Sequence, residues 1–171
     1  VFREIAPGDG GEALEFDKTV ADIVVDGAYL RHLLALGDTL DSALIRMSVG
    51  HRVLAYAVSV LWRALRHNRP LKLYRRYLLP LGDYSSVLTD LTNMGNIETW
   101  PSLIGGKVGD SLAETFHGEQ GAQLSRFELR NANHVLTMVQ DGRMQTGGPE
   151  RVFGFLTMLH AEMENLKLIV T

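Results

Sequence analysis

The sequence predicts an all-α fold, a compact bundle of five or six helices. Apolar residues recur at the i, i+3, i+4 and i+7 spacing of a helix through most of the chain, and no repeat of fixed period is present. Glycine and proline stand between these segments, where helices typically end. The hydrophobic share of 46% and the charged share of 22% are typical of a globular protein, and 171 residues suit one domain.

The first 26 residues are predicted to form a mobile leader or an extended arm, followed by a single helical domain over residues 27–171. Residues 6–13 are turn formers without periodicity, and the apolar run at 21–25 indicates a short strand or extended segment. Residues 1–7 lack the basic stretch and apolar core of a secretory signal. Since the chain also has no cysteine, a cytoplasmic protein is expected.

Helical spacing begins at Gly27 and continues in two short helices. Gly37 is placed to end the first helix, and Asp38 or Thr39 can cap the second. The apolar positions of the first are Tyr29, Leu30, Leu33 and Leu34, and those of the second are Leu40, Leu44 and Met47.

The segment from about 51 to 67 predicts a central, largely buried helix, because apolar residues cover more than half of its circumference. Its one polar stripe consists of Arg52, Ser59, Arg63 and Arg66. Pro70 follows closely and would end the helix. The uncharged apolar run at 53–62 has about half of the roughly 20 residues that cross a bilayer, so no transmembrane helix is expected.

Turn formers dominate residues 82–109, where loops and one or two short helices are predicted. Capping boxes at Ser111/Glu114 and Ser125/Glu128 indicate two further helices. A last helix starts near Pro149. Its spacing predicts a core-facing side made of Val152, Phe155, Leu159, Met163 and Leu166.

Positive charge is concentrated in residues 51–82, which contain seven basic residues and no acidic one. The basic residues are Arg52, Arg63, Arg66, Arg69, Lys72, Arg75 and Arg76. They carry +7 in a chain of net charge −3, so the remainder carries −10. Segregation on this scale favours contact with phosphates, an anionic membrane surface or an acidic protein.

The basic segment divides at Pro70 into a stripe on the central helix and a cluster at residues 69–76. Tyr74 and Tyr77 lie within the cluster and could stack on unpaired bases. The open alternative is that the arginines pair with carboxylates of the same protein and that the tyrosines belong to its core.

Metal and phosphate sites are only weakly indicated. Glu114 and His117 form the one Glu-x-x-His pair, whereas di-iron bundles need two such pairs and further inward-facing glutamates. His160 and Glu164, one turn apart, are further weak candidates for a metal site, and His51 is a distant one. Lys107, after Gly105 and Gly106, could contact a phosphate, but the Walker pattern is absent. A surface Glu with a helix-end His, and a tight glycine turn, are the simpler interpretations.

The leading hypothesis is a non-enzymatic helical subunit of a larger assembly, such as a ribonucleoprotein, that contacts a nucleic-acid backbone without a cofactor. Its predicted contacts are the seven basic residues together with Tyr74, Tyr77 and Lys107. The nucleic acid could be RNA, which would make the protein RNA-binding. One alternative is a protein-interaction module, which could form a homo-oligomer, with its basic segment on an acidic partner. The other alternative is a His/carboxylate metalloenzyme.

Overall fold

The structure, a computed structural model, describes residues 18–117, 120–143 and 147–170. These described residues contain eight α-helices and no strand, so the predicted all-α class is confirmed and the predicted number of helices is slightly too small. The helices are α1 (Lys18–Thr39), α2 (Ala43–Arg66), α3 (Lys72–Tyr77), α4 (Ser85–Asn93), α5 (Trp100–Ile104), α6 (Gly106–Thr115), α7 (Gln123–Arg143) and α8 (Pro149–Val170).

Helix α1 covers the segment that was predicted to be a short strand or extended arm. It runs without a break through both Gly27 and Gly37, so residues 21–25 are helical and Gly37 does not end the helix. Ile23 and Leu30 lie on the same face of α1, about two turns apart, and are both buried. Gly27, between them, touches the backbone of Tyr77 in α3, where a Cβ atom would collide with the Tyr77 carbonyl oxygen. The rest of the predicted leader, residues 1–17, lies outside the described residues.

Helix α2 is the central helix, as its spacing predicted, and packs between α1 and α7. It begins at residue 43, earlier than predicted, because the hydroxyl oxygen of Ser42 caps it by accepting a hydrogen bond from the Ile45 amide at 3.2 Å. Asp38 and Thr39, the predicted caps, lie inside α1 instead. Val53 and Leu61 are fully buried. Asn68, with a positive φ of 52°, turns the chain after α2 and before Pro70.

Among the described residues, α2 alone has the length and hydropathy of a membrane span. Length and composition are weak evidence, since the core helix of a folded domain meets the same criteria. Here 56% of the apolar 18-residue window is buried inside the protein, which is the burial expected of a core helix.

Aromatic side chains join α2 to the short helices and to α7. Trp62 makes edge contacts with Phe116 and Phe127, at ring-centroid distances of 6.1 Å and 5.9 Å. Trp100, in α5, is completely buried, and its indole N–H donates to the Met94 carbonyl oxygen at 3.1 Å. These contacts explain why residues 82–109 hold more helix than predicted: tertiary packing stabilises segments too short to be helical alone.

The last two helices extend the packing in the order α1, α2, α7, α8. The predicted capping boxes are not used, because Ser111 and Ser125 lie inside α6 and α7. Helix α8 begins at Pro149 as predicted, but the side predicted to face the core faces solvent. The small residues Gly154 and Thr157 are buried in its place.

Candidate interaction surfaces

Arg63 is held by an ion pair between neighbouring helices. Its guanidinium donates to the Glu128 carboxylate of α7, so this member of the predicted basic stripe joins α2 to α7. Arg52 is exposed on α2 and, with Arg63 and Glu128, lines a cleft between α2 and α7. Ser59, the polar residue between them in the stripe, is buried.

Arg75 makes its contacts inside the protein. Its Nε donates to the Thr92 hydroxyl at 2.7 Å, and its Nη2 donates to the side-chain oxygen of Asn93. Both partners lie in the last turn of α4. Arg75 therefore links α3 to α4, a structural role that leaves little of its guanidinium for a ligand.

The two tyrosines of the basic segment belong to the packing of α3. Tyr74 is only 4% exposed and is part of the core, so its ring cannot stack on a base. Tyr77 packs partly against the core, and its carbonyl oxygen accepts a hydrogen bond from Arg31 at 2.8 Å. The Arg76 guanidinium lies 5.4 Å from the centre of the Tyr77 ring, within the range of a cation–π contact.

The remaining basic side chains form an exposed group around the turn between α2 and α3, which we call the basic corner. It consists of Arg66, Arg69, Lys72 and Arg76. The cleft of about 240 Å³ next to Arg69 also carries Asp22 and Asp26. Basic and acidic side chains of the same protein therefore line this cleft together.

Asp26 is itself engaged, because the Tyr56 hydroxyl donates to it at 3.1 Å. Burial raises the pKa of Tyr56, and the nearby Asp26 carboxylate raises it further. This contact fixes α1 against α2 at the edge of the cleft.

The predicted metal and phosphate residues do not come together. Glu114 pairs with Arg130 of α7, and His117 and His160 are exposed at separate places. The side chain of Glu164 lies outside the described part of the structure. Within that part, no group of three or more histidine, aspartate or glutamate residues could hold a metal ion. Lys107 is exposed in the first turn of α6, on a cleft that Asp110 and Glu114 also line.

A histidine pair at the junction of α2 and α7 was missed by the sequence interpretation. The rings of His51 and His134 lie 4.6 Å apart, and the Nε2 atom of His51 is buried without a hydrogen-bond partner. Burial first and the nearby His134 second lower the pKa of His51 from 6.5 to about 4, against the opposing effect of Asn131. The two residues are 83 positions apart, so no local pattern could have paired them.

One side of α8, which we call the α8 stripe, exposes large apolar side chains to solvent. Its six side chains are between 41% and 61% exposed: Val152, Phe155, Leu156, Leu159, Met163 and Leu166. The opposite side of α8 packs on α7. A helix with apolar residues on both sides is normally buried on both sides. The helical spacing of these apolar residues was visible in the sequence, but spacing alone did not show which side of α8 packs on the rest of the protein.

Comparison with known proteins identifies a family. A family model described as ATP synthase (C/AC39) subunit matches residues 2–171. No curated protein and no solved structure matches the chain.

This match corrects the functional hypothesis. The family consists of subunits of a protein complex and not of nucleic-acid-binding proteins, so the predicted nucleic-acid, RNA-binding and ribonucleoprotein roles are wrong. The basic segment therefore does not serve a nucleic-acid backbone. The alternative of a metalloenzyme finds no support in the match either. The general prediction of a complex subunit with other protein subunits as partners is confirmed.

Proposed function

Because the chain belongs to the ATP synthase (C/AC39) subunit family, we propose that it is a helical, non-enzymatic subunit that works by binding neighbouring protein subunits. The helices from α1 onward would act as a single domain in this role, since Ile23, before residue 27, already belongs to its core. A cytoplasmic location agrees with the absence of cysteine.

The observation that carries this proposal is the α8 stripe. Monomeric proteins rarely expose contiguous apolar patches above a few hundred Å², and patches at that limit typically mark interaction sites. Here six large apolar side chains follow one side of a 22-residue helix whose other side is already packed. Covering the stripe with a protein partner would remove this apolar surface from water.

The basic corner supports the same role in a different way. Arg66 at the end of α2 and Lys72 and Arg76 in α3 are exposed, within a chain whose net charge is −3. A local excess of positive charge steers the approach of an acidic protein surface more than it adds affinity. We assign the basic corner to orientation of the subunit during assembly.

Purification of the complex through a tag on a different subunit tests this proposal. The chain is expected to co-purify in a fixed ratio to the tagged subunit, and removal of its gene is expected to leave the complex incompletely assembled. A complex that assembles fully without the chain, or that never contains it, contradicts the proposal.

A further inference from the structure

Five members of the α8 stripe follow the spacing of a coiled coil. Val152, Leu156, Leu159, Met163 and Leu166 are separated by four, three, four and three residues. This is the alternation of d and a positions in a heptad repeat. Since a straight helix drifts by only about 20° per heptad from that repeat, the five side chains stay on one face over this length.

Each of the five is between 41% and 60% exposed, so the whole seam is open to solvent. Gly154 and Thr157, which α8 buries in the protein, take the f and b positions on the other side. The helix thus uses one side for its own fold and presents a complete seam on the other.

Resting on the proposed function, we propose that α8 pairs with a helix of another protein subunit, side by side, through this two-heptad seam. The partner helix carries its own apolar a and d residues, which insert between the seam residues as knobs into holes. It continues the packing order α1, α2, α7, α8 by one further helix.

The flanks of the seam specify the charge of the partner. Phe155 and Glu162 take successive g positions, seven residues apart on the same flank, and both are exposed. A partner that matches this flank has an apolar residue opposite Phe155 and a lysine or arginine opposite Glu162. A helix lying on a membrane would instead need a polar face rich in lysine and arginine, and Glu162 beside the seam is unfavourable there.

The area of the α8 stripe favours another subunit over a second copy of the chain. Six large side chains, each about half exposed, offer on the order of 500 Å². A stable interface of standard size buries about 800 Å² per partner. An antiparallel pair of identical α8 helices would also place Glu162 against Phe155 of the other copy, without a counter-charge. A subunit that makes further contacts in a complex meets neither difficulty.

Site-specific photo-crosslinking in the assembled complex tests the pairing. A benzophenone amino acid replaces Val152, Leu159 or Leu166 in turn, and Ser86, exposed on α4, serves as the control position. The three seam positions are expected to crosslink to one helix of another subunit, at sites seven residues apart. Ser86 is expected not to crosslink to that helix. Crosslinks from the seam to a second copy of the chain, to lipid or to a non-helical segment would overturn the inference.

Two adjacent substitutions provide a matched affinity test. Leu159→Asp places a charge in the seam, whereas His160→Asp places the same charge one residue away on an exposed flank. Leu159→Asp is expected to lower the amount of chain retained in the purified complex at least tenfold, and His160→Asp by less than about threefold. Circular dichroism of both isolated variants checks that they fold. If the purified complex retains folded Leu159→Asp and wild type equally, the coiled-coil pairing is wrong but the proposed subunit role still stands. Absence of the wild-type chain from the complex refutes both.

Discussion

His51 is the residue whose surroundings most alter its chemistry. It lies on α2 with its ring against His134 of α7, and its Nε2 atom is buried without a partner. Burial first, and the neighbouring His134 second, lower its pKa from 6.5 to about 4. The protonated ring is therefore disfavoured in the folded protein but not in the unfolded chain.

We expect this histidine to make the protein less stable in mild acid. Between pH 6.5 and pH 4 the unfolded chain binds more protons at this position than the folded protein. The stability that depends on neutral His51 is therefore fully present above pH 6.5 and is lost as the pH falls towards 4. The expected loss in the free energy of unfolding is about 1–2 kcal/mol, reduced because His51 is partly exposed. Urea denaturation at a series of pH values measures it.

The variant His51→Phe keeps a ring against His134 and cannot be protonated, so its stability should change less between pH 6.5 and pH 4. His67→Phe is the control, because His67 is exposed in the turn after α2. If both variants retain the full wild-type slope, the pH dependence does not originate at His51.

At the scale of the elements, the Arg75 side chain links α3 to α4 through hydrogen bonds. Arg75→Met removes the hydrogen bonds to Thr92 and Asn93 while keeping an unbranched side chain. We expect a loss of about 1–2 kcal/mol in the free energy of unfolding, since each partly exposed bond to a charged group contributes modestly. Amide hydrogen exchange should increase in α3 and α4.

Lys72→Met is the matched control for this prediction, because it also removes a positive charge from α3 and its side chain is exposed. Its effect on stability should stay within about 0.5 kcal/mol. A similar loss in both variants would mean that the charge of the segment, and not the Arg75 contacts, is responsible.

The helices that sequence reasoning predicted well are those whose apolar pattern has one interpretation. In α2, Val53 and Leu61 are buried as their spacing predicted, and the helix ends at Arg66, a few residues before Pro70. In α1, the apolar run at 21–25 predicted a short strand or an extended arm, yet the segment is helical and α1 packs against α2 and α3. Local preference was overridden by tertiary contacts.

In the basic segment, too, tertiary contacts that the sequence pattern does not show decide the role of the side chains. Composition located the charge correctly, but Arg63 pairs with Glu128 and Arg75 with Asn93, partners 65 and 18 residues away. Only the fold brings these groups together. The open alternative was that the arginines pair with carboxylates of the same protein and that the tyrosines lie in its core. It describes Arg63 and Tyr74 correctly, whereas Arg66 and Lys72 are exposed.

At the scale of the whole molecule, the side of α8 that the sequence predicted to face the core is exposed in the structure. The spacing of α8 predicted a helix correctly and assigned its core-facing side wrongly, because both sides are apolar. The assignment failed because it assumed that the apolar side must be buried within one chain. For a subunit of a complex, a second apolar side has a second partner.

The α8 stripe also predicts how the isolated chain should behave. Leu156→Gln combined with Leu166→Gln replaces two residues that are 55% and 60% exposed, with little change in helix propensity. The double variant should keep the free energy of unfolding within about 0.5 kcal/mol of wild type, since little buried surface is lost. Its binding of a hydrophobic dye should fall.

Leu61→Gln provides the contrast, because Leu61 is completely buried and the substitution puts an unsatisfied amide in the core. It should cost several kcal/mol, on the order of the roughly 2–5 kcal/mol of large core truncations. If the double variant of α8 were destabilised as strongly as Leu61→Gln, the stripe would be covered by the chain itself. An open stripe is therefore distinguished from a covered one by stability alone, before any partner subunit is added.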